Sequence, residues 1–125
     1  MRIITHAAVA ALVVMGLVGG AQAADPYGTW TRPSTGGQVS FYDCGGKLCG
    51  KVLSVKDKKT SDRVGKIVIP GATKTGDNVW KGDFVNLEDG KTYSNVSYTL
   101  NGSSAMTLRG CALGGLVCKS ETWTK

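Results

Sequence analysis

Short segments in which apolar and polar residues alternate run through most of this chain. Residues 39–43 alternate with a period of two, and a second such segment follows at 49–55, after Gly45-Gly46. A period of two places successive side chains on opposite faces of a β-strand. The pattern therefore predicts antiparallel strands joined by tight, glycine-containing turns.

Further short segments that are typical of strands predict the rest of the architecture. They lie at 67–69, 80–87, 92–100, 105–109 and 120–125, with a short strand around Trp30. Pro70-Gly71 is expected to stop the first of these strands, and the stretch 55–66, rich in Lys, Ser and Asp, is expected to be a solvated loop. The count of about eight short strands predicts an all-β fold, a small antiparallel barrel that leaves no strand edge exposed.

The register of two hairpins follows from the turn sequences. A four-residue loop at 45–48 would place Cys44 opposite Cys49. A three-residue loop at 101–103 would place Tyr98 opposite Met106, so that apolar residues face each other across the two strands.

The first residues have the composition of a secretory signal peptide. A short cationic start is followed by an apolar run at 7–18 and by Ala21-Gln22-Ala23, a typical cleavage sequence. We expect cleavage after residue 23, which leaves one domain of 102 residues (24–125) in the periplasm or outside the cell. A retained anchor is the alternative, but the apolar run is short for a bilayer span.

All four cysteines lie beyond this signal, at positions 44, 49, 111 and 118. In a short exported chain they indicate a disulfide framework. Pairing of Cys44 with Cys49 and of Cys111 with Cys118 needs only two tight hairpins, whereas the cross-pairings require two distant hairpin ends to meet. A four-thiolate zinc site is the remaining alternative, but the spacing of the second pair is wider than zinc knuckles use.

Charge and chemistry narrow the classes of function. The net charge is +6, and the only histidine, His6, lies in the signal. A mature chain without histidine cannot form a Ser-His-Asp triad or a histidine metal site, and paired cysteines are not nucleophiles. We therefore predict no enzyme, no catalytic residue, no metal and no cofactor. The scattered basic residues do not indicate nucleic-acid binding.

The basic residues of the middle loop leave two interpretations open. The first is simple solubility. The second is weak, salt-sensitive contact with an anionic surface, made by the loop cations Lys56, Lys58, Lys59, Arg63 and Lys66.

Six motifs occur in the order typical of one bacterial family of secreted proteins. They are Asp25-Pro26-Tyr27-Gly28-Thr29-Trp30, Cys44-Gly45-Gly46-Lys47-Leu48-Cys49-Gly50-Lys51, Trp80-Lys81-Gly82, Glu88-Asp89-Gly90-Lys91-Thr92-Tyr93, Leu108-Arg109-Gly110-Cys111 and Cys118-Lys119-Ser120-Glu121-Thr122-Trp123-Thr124. The chain resembles the family called domain of unknown function 2147. This resemblance implies export, a lipocalin-like β-barrel and a Gram-negative envelope setting, but no reaction. The loop 56–66 is shorter than usual and lacks an Asn-Pro element, and Asn86-Leu87 stands where the family commonly has Asp-Pro.

The Gly28-Thr29-Trp30 sequence also resembles the first strand of lipocalin-like proteins. There the Trp closes one end of the barrel beneath a basic side chain, and this likeness makes Arg109 the expected cover. Trp30 and Trp123 are expected to be buried on adjoining first and last strands that close the barrel.

We expect a binding protein, a carrier or sensor of a small apolar ligand. The expected ligand contacts are the aromatic residues Phe41, Trp80, Phe84, Tyr93 and Tyr98, each of which could instead fill the core. The alternative is an envelope protein-interaction module or inhibitor. A void above about 300 Å³ would favour the carrier, and a filled barrel with an exposed apolar patch would favour the interaction module.

Overall fold

The computed structural model describes residues 25–112 and 117–125, so the predicted signal peptide 1–23 lies outside the described residues. These ranges contain eight β-strands and one 3₁₀ helix. The strands are β1 (Gly28–Thr31), β2 (Gln38–Cys44), β3 (Lys47–Ser54), β4 (Ile67–Gly76), β5 (Val79–Asn86), β6 (Lys91–Asn101), β7 (Ala105–Ala112) and β8 (Val117–Thr124). The 3₁₀ helix, Lys58–Arg63, lies between β3 and β4. No helix in the described ranges is both long and apolar enough to cross a membrane.

Each strand pairs with the next one in an antiparallel manner, and β8 returns to β1 to close a barrel. This confirms the predicted fold. The alternating residues of each strand point into the barrel, where they form one apolar core. That core consists of Trp30, Val39, Phe41, Leu48, Val52, Val68, Ile69, Ala72, Trp80, Phe84, Val96, Tyr98, Leu100, Met106, Leu108 and Trp123.

Both local disulfides are present, as predicted. Cys111 and Cys118 lie directly opposite each other on β7 and β8. The first hairpin differs from the expectation because Cys44 lies opposite Lys47, and Cys49 lies opposite Tyr42. Gly45 and Gly46 both have positive φ angles, so they form a two-residue turn in place of the expected four-residue loop. The disulfide then joins diagonal neighbours.

The β6–β7 hairpin has the predicted odd-length connection but a register shifted by two residues. Tyr98 lies opposite Leu108, and Leu100 lies opposite Met106. A shift of two keeps every side chain on its face, because the side-chain period is also two. Apolar residues therefore still meet across the strands.

The expectation that Pro70-Gly71 ends a strand is wrong, since β4 continues through both residues to Gly76. Ile69 lies opposite Gly50 and Ala72 lies opposite Leu48, so the Pro-Gly pair falls at an irregularity in the ladder. The missing N–H of proline is tolerated at such a bulge, and the strand bends there instead of stopping.

The seam between the first and last strands has little backbone pairing, with Thr31 opposite Thr124 as its described register pair. Fully buried aromatic rings supply contacts across it. The Phe41 ring centroid lies 5.7 Å from that of Trp30 and 5.9 Å from that of Trp123. The two tryptophans are therefore buried and joined through Phe41, as the closure of the barrel requires.

Arg109 does not cover Trp30, contrary to the expectation. Its neighbour Leu108 points into the barrel, so Arg109 points outward and is exposed. The cation over Trp30 is Lys125, whose ammonium lies 5.2 Å from the ring centroid and donates to the Tyr27 carbonyl at 2.7 Å. Lys125, the residue after β8, thus covers Trp30 in the place where we expected Arg109 of β7.

Replacing Gly82 by alanine should destabilise the barrel strongly. A Cβ atom at this position would lie 2.7 Å from both the Cα of Ala72 and the carbonyl oxygen of Gly71, and neither backbone atom can turn aside. We expect Gly82→Ala to lower the free energy of unfolding by about 1–3 kcal/mol or more. Gly76→Ala is the matched control, because a Cβ there meets no atom within 4 Å. Equal melting temperatures of the two variants would show that β4 and β5 do not need their close approach at Gly82.

Trp30→Ala should lower the free energy of unfolding by roughly 3–5 kcal/mol, because it leaves a cavity at the centre of the closure. Trp30→Phe keeps an aromatic ring but loses the 2.8 Å hydrogen bond that Nε1 donates to the Pro26 carbonyl. We expect a loss of only about 1–2 kcal/mol for that variant. Urea denaturation of both variants measures the difference, and an unchanged midpoint for Trp30→Ala would show that the seam does not depend on this ring.

Candidate functional site

The two ends of the barrel are built differently. At one end, short turns connect β2 to β3, β4 to β5 and β6 to β7. At the other, which we call the open end, longer connections at 32–37, 55–66 and 87–90 surround a cavity of about 220 Å³. Longer loops around one mouth of a barrel are a frequent setting for binding sites.

The floor of this cavity is apolar. It consists of inward-facing side chains from four strands, Val39, Val52, Val68 and Trp123, with Leu87 at the side. Three buried strand positions of the floor carry a valine, namely Val39, Val52 and Val68. A larger side chain there would fill the space that the cavity occupies. The void therefore follows from the small side chains at these three positions of the core.

The rim of the cavity is polar. The 3₁₀ helix, which we call the rim helix, contributes Thr60 and Arg63, and Asp57 caps it by accepting a 2.9 Å hydrogen bond from the Lys59 N–H. Lys56 packs its stem against Gly36, where a Cβ atom would lie 2.7 Å from its Cδ. The predicted solvated loop is thus an ordered wall of the cavity mouth.

Arg32, at the start of the β1–β2 connection, is the most highly connected polar residue of the site. Its Nε donates to Glu121 at 2.9 Å and a terminal nitrogen donates to Asn86 at 3.2 Å. The guanidinium also lies 5.5 Å from the Phe84 ring centroid and 5.7 Å from that of Trp123. Charge pairing and two cation–π contacts therefore fix this cation at the edge of the apolar floor.

The Glu121 carboxylate joins three parts of the site. It receives hydrogen bonds from the Trp123 indole at 3.0 Å and from the Ser34 N–H at 3.2 Å, besides the ion pair with Arg32. Partial burial raises the pKa of the Glu121 carboxyl. The hydrogen bonds and the positive charge outweigh that effect, so the pKa lies below its ordinary value. The carboxylate is therefore held ionised.

A second ion pair crosses the mouth of the cavity. Arg63 of the rim helix donates to Glu88 of the β5–β6 connection. Glu88 is 47% exposed, so water screens this pair. It orders two loops of the rim but contributes less to stability than the Arg32–Glu121 pair.

None of the five aromatic residues expected to contact a ligand lines this cavity. Phe41, Trp80, Phe84 and Tyr98 are buried in the core, and Phe84 and Tyr93 instead border a second, smaller cavity of about 80 Å³. Tyr98 donates from its hydroxyl to the Asp83 carbonyl at 2.9 Å, and burial raises its pKa.

Sequence reasoning missed Arg32 and Glu121, although one signal for the carboxylate was present. Trp123 was expected to point inward, and Glu121 is two residues earlier on the same strand, hence on the same face. A carboxylate on the inner face of a barrel strand requires a partner. Nothing in the sequence pattern shows that Arg32, 89 positions earlier, is that partner.

Neither a metal cluster nor a free thiol occurs in the described part of the chain. No three His, Cys, Asp or Glu side chains in it lie close enough together to hold a metal ion, and its cysteines are all in disulfides. The side chains around the cavity instead form an apolar pocket with a polar entrance.

Glu121→Gln should lower the melting temperature at neutral pH, because it leaves the Arg32 cation without a counter-charge. The folded-state pKa of Glu121 lies below the unfolded value of about 4.3, so its stabilisation is complete above that pH. It is lost as the pH falls through the folded-state pKa. The difference in melting temperature between wild type and Glu121→Gln should therefore vanish in acid.

Glu88→Gln is the matched control for this measurement, since it removes the same charge from the exposed ion pair. We expect little change for it at any pH. An equal loss in the two variants would contradict the assigned importance of the Arg32–Glu121 pair.

Comparison with known proteins agrees with this architecture. Protein HP1028 from the human pathogen Helicobacter pylori, described as belonging to the lipocalin family, superposes with a TM-score of 0.66 at 19% sequence identity, over 82% of this chain and 83% of that one. At that identity the likeness shows the fold alone. A search of curated proteins found no match. The family model described as "Uncharacterized protein conserved in bacteria (DUF2147)" matches residues 28–125. The chain therefore belongs to the DUF2147 family of bacterial proteins.

Proposed function

We propose that this protein is an exported, non-enzymatic binding protein that takes up one small, largely apolar ligand at the open end of its barrel. The observation that carries the proposal is the cavity of about 220 Å³, with its valine and tryptophan floor and its polar rim. Apolar walls with a few oriented polar groups are the usual composition of small-molecule sites.

The size of the cavity limits the ligand. A volume of about 220 Å³ equals that of about seven water molecules, at roughly 30 Å³ each. This is below the void of about 300 Å³ that we expected of a carrier, which is also the lower range of sites for drug-sized ligands. The ligand we propose is accordingly a short aliphatic chain or a single ring, with its polar end at the mouth.

Charge at the rim favours a ligand with an electron-rich polar end. The two arginines of the lining are already paired, Arg32 with Glu121 and Arg63 with Glu88. Lys56 lies at the same mouth and forms no ion pair among the described residues. Its ammonium is the donor that we assign to the polar end of the ligand.

The residues around the cavity support binding in preference to catalysis. Its lining contains neither histidine nor cysteine. Nucleophilic catalysis by an activated serine or thiol needs such a base or such a nucleophile. The established lipocalin-like fold and family membership are in keeping with a binding role.

The setting that we propose is the periplasm or the exterior of a Gram-negative cell. Two disulfides fit an extracytoplasmic protein, because thiols in the cytosol are kept reduced. The predicted signal peptide at 1–23, with the domain 24–125 following it, is part of this proposal.

The test uses 1-octanol and octanoate as probes of stated chemistry. We expect both to bind by isothermal titration calorimetry and to change the fluorescence of the tryptophans, since Trp123 forms part of the floor. Val52→Phe places a ring in the cavity and should abolish both signals. Val117→Phe adds the same ring at a position on β8 that is 44% exposed and is not part of the cavity lining, and it should leave binding unchanged.

Two outcomes would contradict the proposal. One is the absence of heat and of a fluorescence change with either probe and with an extended panel of small apolar molecules. The other is equal binding by wild type and Val52→Phe, provided that the variant melts as a folded protein. Native mass spectrometry of protein purified from its own cell envelope would then identify any retained ligand directly.

A further inference from the structure

Three apolar side chains on the outside of the barrel have no cover from the described part of the chain. Leu53 on β3 is 45% exposed, Ile67 on β4 is 44% exposed, and Val64, just after the rim helix, is 49% exposed. Single exposed apolar residues are ordinary, but a group of them on one surface is typical of a contact site.

The backbone places these three residues together, and we call them the outer patch. Ile67 lies opposite Lys51 on the neighbouring strand, so Leu53 is its diagonal neighbour on the same face. The Gly65 N–H donates to the Val52 carbonyl at 2.8 Å, which brings Val64 beside β3. The buried neighbours Val52 and Val68 fix the outward direction of Leu53 and Ile67.

Lysines border the outer patch. Residues 51–67 contain five lysines and two aspartates. Lys51 lies directly opposite Ile67, and its ammonium is 5.6 Å from the Tyr42 ring centroid on the same outer face. Lys58, Lys59 and Lys66 are exposed around the rim helix, and none of the five lysines forms an ion pair among the described residues.

We propose that the outer patch and its lysines dock this protein onto an anionic phospholipid bilayer. Lysine stems can lie along apolar surface while their ammonium groups reach lipid phosphates, and the apolar side chains enter the region between headgroups and acyl chains. An anionic bilayer satisfies both the charge and the apolar surface of this face, whereas a dissolved anion would satisfy only the charge. Asp57 and Asp62 reduce the positive charge, so the docking is weak and reversible.

Docking by this face would bring the cavity mouth to the membrane. The rim helix contributes Thr60 and Arg63 to the lining of the cavity, and Val64 of the outer patch follows it immediately. The inference does not depend on the proposed ligand, because bilayer docking is measured on the protein without one.

The test is co-sedimentation of the protein with vesicles of phosphatidylcholine, with and without phosphatidylglycerol. We expect binding only to the anionic vesicles, and most of it should be lost as the salt rises to ~0.15 M. Lys58→Gln with Lys59→Gln should weaken the partitioning roughly tenfold. Leu53→Ser with Ile67→Ser should weaken it by about the same factor, with little effect on its salt dependence.

Matched variants separate this surface from net charge and general apolarity. Lys81→Gln with Lys91→Gln removes the same charge from exposed positions on β5 and β6, and we expect less than about a twofold change. Val117→Ser removes an equally exposed apolar side chain from β8 and should have no effect. If the Leu53→Ser with Ile67→Ser variant fails to fold, the Lys58→Gln with Lys59→Gln variant still tests the proposal.

Three results would overturn the proposal. The first is no binding of the wild type to anionic vesicles. The second is an equal loss in the outer-patch variants and their controls, which would assign the binding to net charge. The third is a wild-type dimer in analytical ultracentrifugation that Leu53→Ser with Ile67→Ser dissociates, without vesicle binding. That result would assign the outer patch to a second copy of the chain.

Discussion

The seam between β1 and β8 is the constraint on which the rest of this barrel depends. Every other pair of adjacent strands has at least three described opposed residue pairs, and β7 with β8 has eight. At the seam Thr31 and Thr124 form the described pair, so side chains must supply what the backbone does not. Three sets of side-chain contacts join the two ends of the chain here. They are the ion pair of Arg32 with Glu121, the ring contacts around Phe41, and the hydrogen bond from Lys125 to the Tyr27 carbonyl.

The same side chains also determine where the cavity lies. Arg32 and Trp123 form part of its lining, and Glu121 holds both of them through its carboxylate. The large rings of Trp30, Phe41 and Tyr98 are buried and fill other parts of the interior, and the valines of the floor leave this space unfilled. Closure of the barrel and formation of the cavity are therefore two results of one set of contacts.

The sequence was sufficient for the features that depend on local chemistry. Alternation indicated the strands, glycine and asparagine turns indicated the hairpins, and short spacing indicated both disulfides, all of which involve neighbours in the chain. The sequence-based prediction was wrong where two local backbone conformations were both compatible with the same residues. Gly45 and Gly46 both adopt positive φ, which shortened the expected loop, and a bulge at Pro70 let β4 continue.

Side-chain contacts between residues far apart in the chain could not be predicted from the sequence pattern, for a different reason. Arg109 was expected over Trp30, but the inward direction of Leu108 excludes it, and Lys125 beyond the last strand takes that place. The aromatic residues expected to bind a ligand were chosen because they are large and apolar, properties that equally favour burial in the core. The cavity is instead lined by small residues such as Val52. A small side chain at a core position is a weak indication of a cavity when only one sequence is known.

The uneven distribution of pairing around the barrel has a consequence for the order in which the chain folds. Pairing between consecutive strands brings together residues that are close in sequence, so each hairpin can form with only a short loop to close. The seam joins Arg32 to Glu121 across 89 positions, and its contacts stabilise the chain only when both ends have arrived. Because closing a long loop costs entropy before any contact offsets it, we expect the sheet to form first and the barrel to close last.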